Sequence, residues 1–455
     1  MTIARRRVGV IHPYWSFWES AVGPDFAEDR LQLARLGEST LGTVVDVAWG
    51  VTVQPGDDIP ALVESLDPAI DAIVVVSTMA ASPGAVIQLL DAFADRPVVV
   101  WAAHLGRAVD ADLSYSGITE RGGTVGTPMI GAHLTRIGRP YDIVAGELTD
   151  ASVIGPAVLR ASAAGVVRGA RLGVIGSTLP GYEWARVSDE TLASIGVSVI
   201  ARPPADLAGR MPDHGDRESA ALDGFAIDGA VDDESLDLAL RYTGALEEFV
   251  REERLSAGTL NCHVPELRLG LGAAPCLALG ACTSRGVPWT CTGDVATALA
   301  MLLVSSLGAP TLYHEIEALD EESNEAILAN SGEHDSRFGT TDGRRIIANP
   351  WFPSDPSTAS AEYSIAAGPA SLVGISTGAD GRLTAVVAPG RFTSRTAHSS
   401  GTANASFVFD SGPITEAWRR WSLAGVGHHS CATDRNVARD IEAMCRHLGM
   451  GFVEV

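Results

Sequence analysis

The sequence predicts two α/β lobes followed by a β-rich, barrel-like domain. Short β-branched runs alternate with helical stretches up to about residue 167. The same alternation then restarts. After about residue 330 it gives way to short strands separated by Gly, Asp and Pro turns. A chain of 455 residues also exceeds what one core organises, so these changes of texture are read as domain boundaries, at 1–167, 168–328 and 329–455.

In the first lobe, residues 7–11, 43–47, 70–76 and 97–101 read as buried parallel strands, being β-branched apolar runs. Helical segments at 26–35 and 83–94 lie between them. Strands alternating with helices predict an open, doubly wound, Rossmann-like sheet. In the second lobe a helix over 153–167 leads into a strand over 170–175 and the turn Gly176-Ser177. Strands at 198–201 and 257–261 and a helix at 234–253 continue the pattern. The acidic, Pro- and Gly-bearing stretch 203–233 reads as a surface excursion. A strand over 288–291 then meets an apolar helix over 295–307. In the third domain, 370–375, 383–387 and 406–409 are short strands, and Gly378-Ala379-Asp380-Gly381 is a hairpin turn. A helix over 435–448 and a strand over 452–455 close the chain.

Lys and Arg total 33 against 56 Asp and Glu, a formal charge of -23. That balance argues against nucleic acid, which needs a basic stripe, and against an anionic membrane surface. The longest apolar run, 295–307, carries Thr297, Ser305 and Ser306 and is too short to span a bilayer. Arg5-Arg6-Arg7 precede only Val8-Gly9-Val10-Ile11, far short of a secretory apolar region. The six cysteines form no CxxC pair and read as reduced thiols. The cytoplasm is the expected compartment.

No GxGxxG, P-loop, HExxH or CxxC motif is present. Gly374-Ile375-Ser376-Thr377-Gly378 matches GxSxG, but its serine runs into a hairpin rather than a strand-to-helix turn, so it is not read as a nucleophile. What remains is a set of carboxylates and histidines at strand ends. Glu315 lies in a strand-like run in which Tyr313, Glu315 and Glu317 share one face. It reads equally as a solvated strand residue. His334 sits in the Gly-bearing turn Asn330-Ser331-Gly332-Glu333-His334-Asp335, where it is either a ligand or a surface histidine. His428-His429 follow a Gly-rich run. In an extended chain only one of them enters a given pocket. Asp294 stands where a strand meets the helix over 295–307, a position that suits an N-cap and a ligand-facing carboxylate alike. Glu, His and His with a further carboxylate suit Mn²⁺ or a related divalent cation. Near the amino end, His12, Trp15 and Trp18 form an aromatic loop after the first strand and are candidate sugar contacts.

Across 275–430 the order of these elements resembles the L-arabinose isomerase and L-fucose isomerase superfamily. The likeness is carried by Gly293-Asp294 and the helix after it, Gly308-Ala309-Pro310, the strand bearing Glu315, the turn with His334, and Gly427-His428-His429. Arg171-Leu172-Gly173-Val174-Ile175-Gly176 resembles the opening strand of that family's middle domain. The resemblance implies a Mn²⁺ ion held by Glu315, His334 and His429. It implies aldose–ketose isomerisation of a sugar or polyol through an enediol, with Glu315 and Asp294 as catalytic carboxylates. It also implies a homo-oligomer, a trimer or hexamer, with His12, Trp15, Trp18 and His428 in the substrate pocket. One position departs: the place of the first acidic ligand holds Thr292. That departure keeps two alternatives open, an epimerase and a non-catalytic or regulatory carbohydrate-binding relative.

Overall fold

The computed structural model describes residues 5–109, 111–263, 272–338, 343–351, 358–395 and 400–455. It is a mixed α/β protein that divides into two compact units. One comprises residues 2–168 with 446–449, the other 169–445 with 450–455.

The first unit holds five parallel strands, β1 (Arg7–Pro13), β2 (Asp46–Val53), β3 (Ala72–Ser77), β4 (Val98–His104) and β5 (Asp142–Glu147), in the order β2-β1-β3-β4-β5. Strand alternation sends Ile73 and Val75 to one apolar layer and Ala72, Val74 and Val76 to another. Helices Gly84–Ala92 and Gly123–Arg136 contribute to the first layer, Ala151–Arg168 to the second. Both faces of the sheet are thus covered, which is why its central strands lack polar alternation. Residues 43–45, expected in a strand, instead form the turn after the helix Phe26–Gly42, with the Val45 N–H donating to the Leu41 carbonyl at 3.0 Å. Val45 is buried there by packing rather than by strand pairing. The edge strand β5 was not expected, because its half-exposed Asp-Ile-Val-Ala-Gly-Glu sequence lacks a continuous apolar run.

The second unit contains a four-stranded parallel sheet and a closed barrel. The sheet strands are β6 (Arg171–Ile175), β7 (Ser198–Arg202), β9 (Ala257–Leu260) and β10 (Trp289–Thr290), ordered β10-β9-β6-β7. The short strand β8 (Ala226–Ile227) leaves this sheet and pairs with β13 (Arg345–Ala348). The stretch expected as a surface excursion thus tethers itself by backbone hydrogen bonds. The remaining strands are β11 (Leu312–Asp320), β12 (Glu325–Ala329), β14 (Ala359–Ser364), β15 (Gly368–Thr377), β16 (Leu383–Phe392), β17 (Ala403–Phe409), β18 (His429–Thr433) and β19 (Gly451–Glu454). Six of them run β16-β15-β18-β11-β12-β17, and a further β16–β17 pairing closes the ring. Closure leaves these strands no free edge. Because β11 begins at Leu312, the barrel takes in residues from before the expected boundary at 328. The hairpin at 378–381 joins β15 to β16, and Ser376 lies in β15 just before it. All six cysteines are buried and none forms a disulfide. Among the described residues no helix is long and apolar enough to cross a membrane.

Candidate metal centre

The site lies within the second unit, where the carboxyl end of β10 meets the barrel strands β11 and β18. After β10 the chain runs through Cys291-Thr292-Gly293 to Asp294, which caps the helix Val295–Ser306. Asp294 is fully buried. Its Oδ1 accepts the Thr297 N–H and its Oδ2 accepts the Thr297 hydroxyl, both at 2.8 Å. The approach to the cap is tight. Thr292 has φ +57° and Gly293 φ +72°. A Cβ at Gly293 would lie 2.6 Å from the Thr178 Cα, so glycine is required there. A left-handed backbone at β-branched Thr292 is strained. It is held by the Leu179 N–H donating to the Thr292 carbonyl and by the Thr178 hydroxyl donating to the Gly293 carbonyl.

Antiparallel pairing of β11 with β18 sets Glu315 directly opposite His429. The period of two along β11 then places Tyr313 and Glu315 on the face that meets His429. His429 Nδ1 lies 3.0 Å from Asp294 Oδ2 and 2.6 Å from the Tyr313 hydroxyl, and its Nε2 lies 3.1 Å from Glu315 Oε1. His314, on the opposite face, instead meets the Ser430 hydroxyl and is buried. Glu315, His428 and His429 each offer a ligand atom, all within 4.8 Å of one another. Both histidines therefore face the cluster, where strand alternation predicts only one. The reason is local: β18 begins at His429, and His428 sits in the bend before it, outside strand geometry.

The structure does not bring His334 to this group. Its ring packs against Gly280, where a Cβ would come within 1.9 Å of Nδ1, and lies edge-on to Phe225 and Tyr363. The sequence offers no period across the turn 330–335 that would show which way its side chains point. The neighbouring Glu333 is buried, with the charges of Cys262 and His429 bearing on it. His12, Trp15 and Trp18 lie in the first unit. There His12 Nε2 bonds Glu38 at 2.9 Å and the Trp18 indole donates to the Ala80 carbonyl.

The structure adds residues that sequence reading missed. The segment after β6 brings Tyr182 and Trp184 over the histidines. Tyr182 and Trp184 stand 5.1 and 4.9 Å from the His428 ring, and Trp184 stands 5.4 Å from that of His429. Gly427 lies flat against the Trp184 ring, where a Cβ would come within 2.1 Å. The available signal was two aromatics just beyond the carboxyl end of a predicted parallel strand, where ligands bind.

The electrostatics follow from this geometry. Burial disfavours charge on His429, but the hydrogen bonds and charges of Asp294 and Glu315 outweigh it and raise its pKa to about 9. Burial likewise disfavours the Glu315 carboxylate, yet the His429 hydrogen bond and charge bring its pKa below the usual value. His428 is lowered, by burial first and the charge of His429 second. Behind the site, burial and then Cys262 push Glu333 up to about 7. The hydrogen bond from Cys291 is the main cause that draws the Cys262 thiol down to about 5.

The raised His429 pKa makes a prediction for the metal-free protein. A group whose pKa rises on folding stabilises the fold below its unfolded value, and that contribution disappears as pH climbs through the folded value. Here the window runs from about 6.5 to about 9. The contribution reaches about 3 kcal/mol at its largest. Denaturant melts in chelator from pH 6 to 10 should show the stability gap between the parent and His429→Gln narrowing across that window. A gap independent of pH would remove this account of His429.

One carboxylate and two imidazoles form a divalent-cation donor set. His429 Nε2 and Glu315 Oε1, 3.1 Å apart, are close enough that both would reach one cation. With Nδ1 held by Asp294, Nε2 is the nitrogen that faces Glu315 and the cluster, and a carboxylate behind the ring is the usual outer support of a ligating histidine. Fold and cluster together thus define a mixed α/β protein with a carboxylate–imidazole centre at a sheet–barrel junction. The relatives found by comparison are sugar isomerases. The chain is 25% identical over 292 residues to a sulfoquinovose isomerase of Alkalicoccus urumqiensis, a match covering 61% of this chain and 62% of that protein. It is 22% identical over 275 residues to sulfoquinovose isomerases of Priestia aryabhattai and Priestia megaterium, covering 58% of this chain and 59% of each of them. The match thus spans about three fifths of the length of these curated relatives. No family model matches the chain.

Proposed function

We propose that this chain is a cytoplasmic, metal-dependent aldose–ketose isomerase acting on a sugar or sugar-like polyol through an enediol. We propose further that it is built like the L-arabinose and L-fucose isomerases. The observation that carries the reading is the convergence of Glu315, His428 and His429 on one point, with Asp294 behind His429. The similarity to sulfoquinovose isomerases supports the reaction class and makes sulfoquinovose the first substrate to try.

Glu315, His428 and His429 would hold the cation, Mn²⁺ being the best match to the donors. When bound, the cation polarises the carbonyl and adjacent hydroxyl of an open-chain sugar and lowers the cost of the enediolate. Glu315 is the proton-moving group. Its side chain is 33% exposed, whereas that of Asp294 is fully buried. Asp294 is also already committed to Thr297 and His429. Glu315 would take the proton from C2 of the aldose and return it to C1, while the proton of the C2 hydroxyl passes to the C1 oxygen. Asp294 holds the His429 ring so that Nε2 faces the cation. Tyr182 and Trp184 give the pocket an aromatic wall on which a sugar face can stack. The occupant of the position with a left-handed backbone, Thr292, supplies no carboxylate. Its hydroxyl donates to the Cys291 carbonyl at 2.8 Å.

The test is metal analysis of the purified protein, joined to a panel of aldoses and sulfoquinovose assayed for ketose formation. Stoichiometric Mn²⁺ with ketose produced from one sugar is the expected result. Metal bound with no sugar converted would favour the carbohydrate-binding alternative, or an epimerase if the products are stereoisomers. Absence of bound metal under saturating Mn²⁺ would end the reading. The expected assembly is a trimer or hexamer, and a monomer by light scattering would remove that part.

A further inference from the structure

We propose that Tyr313 is a positioning residue of the cation centre and that Thr292 acts through it. A chain of hydrogen bonds runs from His429 Nδ1–H to the Tyr313 hydroxyl, on to the Thr292 hydroxyl and from there to the Cys291 carbonyl. It holds His429 in the form that binds metal. This role rests on the cation proposed at Glu315, His428 and His429. It gives a use to the threonine that stands where the resemblance places an acidic ligand.

Two oxygens face His429 Nδ1. Asp294 Oδ2 stands at 3.0 Å and the Tyr313 hydroxyl at 2.6 Å, so the phenol is the nearer partner. Tyr313 is 2% exposed, and its ring centroid lies 4.7 Å from that of His429. A buried hydroxyl needs its partners inside the protein. Among the described residues this one meets two, His429 Nδ1 and, at 3.5 Å, Thr292 Oγ1. Thr292 is buried as well. Its own hydrogen goes to the Cys291 carbonyl at 2.8 Å, which leaves Oγ1 able to accept.

The hydrogens fix the direction of the chain. A histidine that ligates through Nε2 keeps its one ring hydrogen on Nδ1. The Asp294 carboxylate accepts there, and the phenol oxygen must accept as well. The phenol hydrogen then needs an outlet, which Thr292 Oγ1 supplies. At 3.5 Å this is the weakest link of the chain. Without it the phenol hydrogen would turn back to Nδ1. A phenol that donates to Nδ1 leaves the ring hydrogen on Nε2, where it blocks the cation. Thr292 thus acts, through Tyr313, on which ring nitrogen is free for metal.

The backbone agrees with this use. Thr292 keeps φ at +57°, a conformation that β-branched residues avoid. Such strain persists where the surroundings impose it, and it gathers at functional sites. The strained residue here is the one that takes the phenol hydrogen.

The test is a double-mutant cycle on Mn²⁺ affinity. Tyr313→Phe keeps the ring and deletes the hydroxyl. Thr292→Val keeps the branched shape and deletes the acceptor. Tyr313→Phe should weaken Mn²⁺ binding about tenfold or more, the usual loss when a partner behind a ligating histidine is removed. Thr292→Val should weaken it less, and Thr292→Ser, which keeps a hydroxyl, should recover that loss. In the Tyr313→Phe background Thr292→Val should cost nothing further, because its effect passes through the phenol. If Thr292→Val does not fold, Thr292→Gly relieves the left-handed backbone and should give a stable protein with the same weakened metal binding. A second measurement needs no cation. In the metal-free protein, the downfield imidazole proton that His429→Gln abolishes should move upfield in Tyr313→Phe. A parent that binds no Mn²⁺ overturns the cation itself, while the proton shift still decides whether Tyr313 holds Nδ1. Mn²⁺ bound by Tyr313→Phe as tightly as by the parent, or losses that add in the double variant, would overturn the proposal.

Discussion

Replacing Glu315 by Gln should lower ketose formation about a thousandfold, the usual range for loss of a proton-transferring side chain, and should strip the bound metal. The substitution keeps the shape and removes the charge. Three consequences follow. The cation loses its one carboxylate among Glu315, His428 and His429. The proton loses its acceptor, because a neutral amide is no base at the relevant pH. His429 loses one of the two carboxylates that raise its pKa to about 9, and Asp294 alone holds it. The fold should be kept, because Glu315 is itself only half-buried on its strand, with stability lowered by the share of the His429 contribution that Glu315 supplies. That separates the effect from unfolding, and circular dichroism beside the activity assay checks it. A variant that keeps metal and converts sugar at the parent's rate would show that Glu315 does no chemistry.

Asp294 permits a sharper experiment, because its two oxygens do different jobs. Oδ1 caps the helix Val295–Ser306 through the Thr297 N–H. Oδ2 takes the Thr297 hydroxyl and faces His429 Nδ1. Asparagine is as good an N-cap as aspartate, so Asp294→Asn keeps the first role. Its amide nitrogen is a donor where Oδ2 accepted, so the support of His429 is lost. Metal affinity should fall about 10- to 100-fold, the usual loss when the outer partner of a ligating histidine is removed. A buried polar group left without its partner should cost a further 1–3 kcal/mol or so of stability. Asp294→Ala removes both roles, and the lost cap should add about 1 kcal/mol. Metal titrations and denaturant melts of the two variants distinguish them. Should Asp294→Asn bind Mn²⁺ as tightly as the parent, Asp294 is a cap and nothing more.

Much of the local framework was legible in the chain. The β-branched runs at 7–11, 70–76 and 97–101 became β1, β3 and β4, because a strand covered on both faces must be apolar throughout. The hairpin at 378–381 was written in its Gly and Asp residues. Asp294 was readable as a cap, and Tyr313 and Glu315 as neighbours on one face, since both rest on short, regular periods.

The composition of the cluster was less legible. Nothing local distinguishes His334, turned under Gly280, from His428, turned toward Glu315. That difference depends on where β18 begins, and a single residue of register exchanges the two faces of a strand. The meeting of residues 294, 315 and 429 is likewise a non-local event. It is set by the antiparallel β11–β18 pairing and by the β10 loop that delivers Asp294. Closure of the barrel through β16 and β17, and the arrival of Tyr182 and Trp184, have the same origin. The sequence by itself thus determined the strands, the cap, the acidic surface and the residue types available for a cation. The tertiary structure decided which of those residues share one point, because side-chain periodicity acts over a few residues and convergence at a site depends on strand pairing across more than a hundred.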